Sequence, residues 1–153
     1  MFTLLVLSAL AVGSVVSSQS TDVVACDAGA GELPQHADVA GCEQSPCHVV
    51  RGHNVTVRVV FRAPRTTRTM TTRALVGLLG VSSEYPLGDH AFTCDFLTNT
   101  YCPVMRGEVL DYTFIFYVDP AFPAVPFPVQ LDLLVEDELT QPAFCLRTTI
   151  LVS

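Results

Sequence analysis

Apolar and polar residues alternate most clearly in the segment that ends at Arg62. Every second position from Val55 to Phe61 is apolar, and polar residues such as Arg58 occupy intervening positions. A period of two is typical of a β-strand that buries one face. Further along the chain, apolar residues again occupy alternate positions, and we call positions of one alternate set positions of the same parity. These alternations predict strands at residues 70–78, 112–118, 129–135 and 145–152, with a short first strand at 22–26.

Turn-forming residues separate these segments. Residues 27–46 are rich in Gly, Ala, Asp and Pro and are predicted to form one loop, and residues 82–93 are predicted to form another. The acidic residues at 136–138 are expected to form a solvated turn before the last strand. We find no convincing amphipathic helical period. The sequence therefore predicts an all-β fold, either a sandwich or a barrel.

The connection between the strands at 112–118 and 129–135 is rich in proline and aromatic residues. It contains Phe122-Pro123 and Phe127-Pro128. Because proline fixes its own φ angle, we expect this connection to be stiff. Periodicity alone favours an ordinary sandwich core for the apolar residues of the two strands. The alternative is that they line a space that binds a ligand.

The amino-terminal residues follow a different pattern. An apolar run from Leu4 to Val16 ends in the small residues Ser17 and Ser18, as in a secretory signal peptide. We expect residues 1–18 to be removed and residues 19–153 to form one domain. No later apolar run approaches the roughly 20 residues that a membrane helix requires. We therefore expect a soluble secreted monomer with no transmembrane segment.

Composition narrows the class of ligand. The chain has a net charge of −7, and its eight cationic side chains are all arginine. An acidic chain of this kind is not expected to bind nucleic acid or an anionic membrane. Hydrophobic residues make up 50% of the sequence, and the signal peptide accounts for only part of this excess. The surplus favours an apolar space that binds a neutral or apolar ligand.

Six cysteines behind a signal peptide predict three disulfides. Many pairings are possible, but the sequence spacing favours two local bonds. These are Cys42 with Cys47 and Cys94 with Cys102. Cys26 and Cys145 would then join the two ends of the domain.

Asn54 begins an Asn-Val-Thr sequon. It has the same parity as Thr56 and Arg58, on the polar face of the strand. A glycan on that face would not disturb the core, so we predict N-glycosylation of Asn54.

No pattern in the chain is typical of a catalytic or metal site. The four histidines lack the spacing of a metal-binding motif, and Gly80 is followed by Ser82-Ser83 without the second glycine of a nucleophile elbow. We therefore expect no enzymatic activity, no metal and no cofactor. Arg62, Arg65, Arg68 and Arg73 form a local basic cluster, for which a solvated edge is the simplest interpretation.

The order of these motifs resembles that of the MD-2-related lipid-recognition (ML) domain, in particular the Niemann-Pick type C2 sterol carriers and the mite group 2 allergens. The resemblance covers essentially the whole mature chain. It is carried by Cys26, Gly41-Cys42, Cys47, Arg51-Gly52, the sequon-bearing strand ending in Phe61, Cys94, Cys102-Pro103-Val104, Tyr112, Phe122-Pro123, Asp137 and Cys145.

This resemblance implies an immunoglobulin-like β-sandwich of two antiparallel sheets with an internal apolar cavity. It implies the same three disulfides that the spacing favours. It also implies an apolar ligand between the sheets, of the sterol or fatty-acid class, with its polar head near a mouth that Tyr85-Pro86 and Phe122-Pro123 frame. The sterol carriers have Trp where Leu131 and Leu146 stand, whereas this chain has no Trp, so its pocket is expected to differ in shape.

The resemblance and the apolar parities together give a set of expected ligand contacts. The set comprises Phe61, Tyr85, Pro86, Tyr112, Phe114, Phe116, Val118, Phe122, Pro123, Phe127, Val129, Leu131, Leu133, Leu146 and Ile150.

The function predicted from these observations is that of a secreted lipid carrier, either extracellular or in the lysosomal lumen. A second hypothesis is an immune recognition module that presents bacterial lipid to a membrane receptor through the arginines between Arg62 and Arg73. A third is a chemosensory or structural protein without a stoichiometric ligand.

Overall fold

The computed structural model describes residues 20–153, and the predicted signal peptide at residues 1–18 lies outside the described residues. Within residues 20–153 the chain forms nine strands and two short 3-10 helices, Gly88–Ala91 and Thr93–Phe96. The strands are β1 (Val24–Ala25), β2 (His36–Val39), β3 (Cys47–Val49), β4 (Asn54–Arg62), β5 (Met70–Leu78), β6 (Val81–Tyr85), β7 (Val109–Tyr117), β8 (Val129–Asp137) and β9 (Pro142–Val152).

The strands form two sheets. The larger has the order β1-β9-β8-β5-β6, with β3 also paired to β9, and the smaller has the order β2-β4-β7. All of these pairs are antiparallel except β3 with β9, which is parallel. The prediction of an all-β, immunoglobulin-like sandwich is confirmed.

The core lies between the sheets because the long strands bury alternate positions. On β4 the buried residues are Val57, Val59 and Phe61, as the period of two predicted. Phe61 of the smaller sheet packs against Phe144 of the larger sheet, with ring centroids 4.7 Å apart. Burying an aromatic side chain of this size stabilises the fold by about 2–3 kcal/mol.

The three predicted disulfides are confirmed. They join Cys26 to Cys145, Cys42 to Cys47, and Cys94 to Cys102. The first spans 119 residues and attaches the start of the domain to β9. On chain entropy, a closed loop of this length stabilises the fold by about 4–5 kcal/mol.

Short strands occupy parts of the predicted loops. β2 lies inside 27–46. β6 covers the start of 82–93, and the two 3-10 helices begin later in that segment, at Gly88 and Thr93. Those two loop predictions are therefore wrong in part. β6 is an edge strand whose side chains are largely exposed, so it has no apolar parity. β2 has only four residues, too few to establish an alternation.

The acidic segment at 136–138 is also more ordered than predicted. Glu136 and Asp137 belong to β8, and Asp137 is buried. One carboxylate oxygen of Asp137 accepts hydrogen bonds from the amides of Leu139 and Gln141, and the other accepts from Arg65. Asp137 therefore organises the turn into β9, and the prediction of a solvated turn is wrong for this residue.

Residues 20–153 contain no helix of the length and apolar character needed to cross a membrane.

Candidate functional site

Apolar side chains from both sheets surround a small internal space with two adjoining compartments. Each compartment has a volume of about 20 Å³. The inner compartment is lined by Val39, Cys47, Val49, Val55, Val57, Ala74, Phe114, Phe116, Leu131, Leu133, Leu146, Thr148 and Ile150. The outer compartment is lined by Val49, Ala74, Val76, Tyr85, Phe116, Val118, Phe122, Leu131, Ile150 and Val152.

The two compartments share one wall. Val49, Ala74, Phe116, Leu131 and Ile150 contact both of them. No charged side chain of residues 20–153 lines either compartment. Each volume is close to the space that a single water molecule needs. The space can therefore accept a larger molecule only if the sheets move apart.

A cleft of about 450 Å³ lies outside the outer compartment and opens to solvent. It is lined by Tyr85, Pro86, Leu87, His90, Phe116, Tyr117, Asp119, Ala121, Phe122 and Pro123. Tyr85, Phe116 and Phe122 line both the cleft and the outer compartment. The cleft, the outer compartment and the inner compartment therefore follow one another from the surface to the core. We call the cleft with these three aromatic residues the mouth.

Tyr85 spans the mouth. Its side chain starts from β6 of the larger sheet, and its hydroxyl donates a hydrogen bond to the carbonyl oxygen of Tyr117 at 2.9 Å. The same hydroxyl accepts a hydrogen bond from the amide of Asp119 at 2.8 Å. The Tyr85 ring also packs near the rings of Phe122 and Phe116, with centroid distances of 5.9 and 6.2 Å. These contacts hold the two sheets together where the internal space approaches solvent.

A buried hydroxyl network fixes the sheets further from the mouth. The hydroxyl of Thr72 on β5 lies 2.6 Å from the hydroxyl of Tyr112 on β7 and 2.7 Å from that of Thr93. All three residues are almost fully buried. Burial raises the pKa of the Tyr112 phenol well above its usual range. Tyr112 therefore stays neutral and joins the sheets as a structural residue.

Most of the residues expected to contact ligand border the compartments or the mouth. They are Tyr85, Pro86, Phe114, Phe116, Val118, Phe122, Pro123, Leu131, Leu133, Leu146 and Ile150. Phe61, Tyr112 and Val129 are buried in the core outside these linings. Phe127 is 39% exposed and borders none of the three spaces.

The structure adds lining residues that the sequence prediction did not include. Val39 and Val49 come from β2 and β3, which were not predicted as strands. Val57, Ala74 and Thr148 lie on strands that were predicted, on the parity that faces the core. Their parity could have identified them as expected ligand contacts.

The basic cluster does not form one surface. Arg73 forms ion pairs with Glu84 and Glu136. Arg62 and Arg65 line an open groove of about 700 Å³ together with Arg106. Arg62 is the last residue of β4, whereas Asn54, the first, pairs with Tyr117 at the mouth. The groove therefore lies at the opposite end of the sandwich from the mouth.

The fold and the site together define a class: a β-sandwich protein whose apolar interior opens at one end through an aromatic and proline mouth. The sequence matches the ML domain over residues 20–152, and the chain belongs to this family.

Similarity to individual proteins agrees with that assignment. The chain is 30% identical over 110 residues to the mite group 2 allergen Lep d 2 of Lepidoglyphus destructor, covering 72% of each chain. It is 25% identical over 126 residues to the NPC intracellular cholesterol transporter 2 of Danio rerio, covering 81% of this chain and 79% of the relative. The crystal structure of a Niemann-Pick type C2 protein from the Japanese carpenter ant has the same fold, with a TM-score of 0.72 at 20% identity. That match covers 85% of this chain and 99% of the ant protein.

Proposed function

We propose that this protein is a secreted carrier that holds an apolar lipid between its two sheets. The observation that carries the proposal is the succession of adjoining spaces from the mouth to an interior lined by apolar side chains. Membership of the ML domain family supports it, as does the similarity to a relative named as a cholesterol transporter. The ligand belongs to the sterol or fatty-acid class in size and polarity.

Removal of apolar area from water supplies the binding energy. A lipid that buries about 300–400 Å² of apolar surface gains about 8–10 kcal/mol at 25 cal/mol per Å². Part of that gain offsets the loss of ligand freedom and the separation of the sheets. What remains after these costs sets the affinity, and no ion pair or bond chemistry is involved.

Access requires the sheets to separate at the mouth. Compartments of about 20 Å³ cannot hold a lipid unless facing side chains such as Phe116 and Leu131 move apart. The hydrogen bonds of the Tyr85 hydroxyl resist this movement because they join β6 to the last residue of β7 and to the segment that follows it. Ligand therefore enters from the mouth when these bonds break, and the stiff connection at 119–128 forms one side of the opening.

We further propose that the protein is secreted. Residues 1–18 act as the signal peptide, and the three disulfides suit an oxidising compartment. The mature chain works outside the cell or in the lysosomal lumen.

The test places the same charge on opposite faces of one strand. Leu131→Glu puts a carboxylate into the lining of both compartments, whereas Gln130→Glu puts it on the other face of β8. We expect wild type and Gln130→Glu to bind a fluorescent sterol or fatty acid, and Leu131→Glu to lose binding at least tenfold while keeping its disulfides. Equal binding by a folded Leu131→Glu variant would contradict the proposal.

A further inference from the structure

Thr148 is the polar exception in the wall of the inner compartment. It lies on β9 between Leu146 and Ile150 on the parity that faces the core, and it is 5% exposed. Its Oγ1 atom is the one buried side-chain polar atom that has no hydrogen-bond partner among residues 20–153. The apolar interior therefore contains an unsatisfied hydroxyl.

Other buried hydroxyls in the described chain are satisfied. The hydroxyl of Thr72 bonds to those of Thr93 and Tyr112. Thr21 donates to the carbonyl oxygen of Cys42 and accepts from the amide of Val39. A buried hydroxyl without a partner lowers the stability of a fold, and such a group in a native protein needs an explanation. A ligand atom that bonds to Thr148 would supply one.

The position of Thr148 shows which part of a ligand it can reach. Thr148 pairs with Leu131 in the sheet, whereas Ile150 pairs with Val129 at the end of the connection that forms the mouth. Thr148 lines the inner compartment only, and the mouth and outer compartment do not reach it. A polar group bonded to Thr148 is thus at the buried end of the ligand.

The surroundings of Thr148 define the charge of that group. No side chain of residues 20–153 that lines the inner compartment is charged, so no cation is present to neutralise a carboxylate. Burying an unpaired carboxylate is costly, whereas burying a hydrogen-bonded neutral oxygen is not. A threonine hydroxyl both donates and accepts, and therefore suits an alcohol or a carbonyl oxygen.

We propose that Thr148 is a polar anchor for an uncharged lipid that carries a hydroxyl or carbonyl oxygen and that enters the sandwich with this oxygen first, in the orientation opposite to the one that the resemblance implies. The inference rests on the proposed function and narrows it. An ionised fatty acid can occupy the same interior only with its carboxylate left at the mouth, where it gains nothing from Thr148.

The test compares wild type, Thr148→Val, which removes the hydroxyl at nearly constant shape, and Thr148→Ser, which keeps it. Decan-1-ol and decane, delivered from cyclodextrin at equal free concentrations, displace a fluorescent apolar reporter from each protein. We expect Thr148→Val to bind decan-1-ol roughly threefold to tenfold more weakly than wild type, the range of one net hydrogen bond. Its affinity for decane should be unchanged or higher, and Thr148→Ser should keep the preference for the alcohol.

A Thr148→Val variant that loses affinity for both ligands equally, or for neither, would overturn the anchor while leaving the carrier function intact. If wild type binds neither the reporter nor either ligand, the carrier function itself fails and the anchor fails with it. Stability gives an independent check. Without ligand, Thr148→Val should melt no lower than wild type, because it removes an unsatisfied hydroxyl. A lower melting temperature would show that the hydroxyl already has a protein partner.

Discussion

Tyr85 and Tyr117 connect the two sheets across the mouth of the sandwich. The hydroxyl of Tyr85 on β6 donates to the carbonyl oxygen of Tyr117 at the end of β7, at 2.9 Å. Since β6 belongs to the larger sheet and β7 to the smaller, this bond must break if the mouth opens between them. On the proposed function, we therefore expect the Tyr85 hydroxyl to limit the rate of ligand exchange.

Replacing Tyr85 by Phe should speed ligand release. The variant keeps the ring contacts with Phe116 and Phe122 but loses the bonds to Tyr117 and Asp119. Two net hydrogen bonds are worth about 1–2 kcal/mol, so the release rate of a bound fluorescent lipid should rise roughly fivefold to thirtyfold. Stopped-flow transfer to acceptor vesicles measures this rate.

Tyr101→Phe is the matched control for Tyr85→Phe, because Tyr101 is 87% exposed and lies outside the mouth. Its release rate should equal that of wild type. Unchanged release by Tyr85→Phe would show that the tyrosine hydroxyl does not limit opening.

Replacing Tyr112 by Phe should lower stability at neutral pH by about 1 kcal/mol, because the hydrogen bond to Thr72 is lost. Burial raises the pKa of folded Tyr112, whereas the phenol ionises near pH 10 in the unfolded chain. The contribution of the neutral phenol is therefore fully present below about pH 10 and decreases as pH rises above it.

Denaturant unfolding between pH 7 and pH 11 checks this prediction. The stability difference between wild type and Tyr112→Phe should be constant up to about pH 10 and then shrink by up to about 1.4 kcal/mol per pH unit. A difference that stays constant to pH 11 would show that Tyr112 ionises equally readily in the folded protein.

Arg147 should contribute more to stability than Arg58. Arg147 on β9 pairs with Asp132, whose side chain is nearly buried, and with Asp27 beside the long disulfide. Arg147→Leu leaves the carboxylate of Asp132 without its cation, which should cost about 2 kcal/mol. Arg58→Leu breaks the pair with Asp111, but more than half of the Arg58 side chain is exposed, so its effect should be much smaller. Equal unfolding midpoints for the two variants would contradict this ranking.

Asn54 should carry a glycan when the protein is secreted from eukaryotic cells. Asn54 is exposed at the first position of β4. Peptide-N-glycosidase should therefore increase the electrophoretic mobility of wild type. Thr56→Val, which destroys the sequon, should remove the shift, and Thr56→Ser, which preserves the sequon, should retain it. A wild-type protein whose mobility does not change would show that the site is unoccupied.

The long strands and the two short-range disulfides could be predicted because local sequence determines them, whereas Cys26 and Cys145 are 119 positions apart and are left as the remaining pair. Burial of alternate residues on β4 produces a period of two that is readable without any partner strand. Cys42 and Cys47 are separated by only five positions, so their pairing is short-range. In contrast, β3 has three residues and exists because it pairs in parallel with the distant β9. The sequence of β3 alone therefore does not predict this pairing.

The binding site could be predicted only in part for the same reason. Apolar parity shows that Tyr112 and Leu131 both point into the sandwich, but it does not show that one is in the filled core and the other lines the internal space. That distinction depends on depth along the sandwich and on partners such as Thr72, which bonds to Tyr112 across the sheets. The exposure of Phe127 could not be predicted either, because it depends on the path of the proline-rich connection, which leaves the residue 39% exposed.

The central claim is that the space between the sheets holds a lipid. The most direct measurement is quantitative mass spectrometry of an organic extract from purified, secreted protein that has been incubated with a cellular lipid extract and then freed of excess lipid by gel filtration. Leu131→Glu and Gln130→Glu serve as the paired variants.

We expect about one apolar lipid per chain from wild type and from Gln130→Glu, and none in stoichiometric amount from Leu131→Glu. Wild-type protein that yields no stoichiometric lipid, or a folded Leu131→Glu variant that yields as much lipid as wild type, would contradict the account.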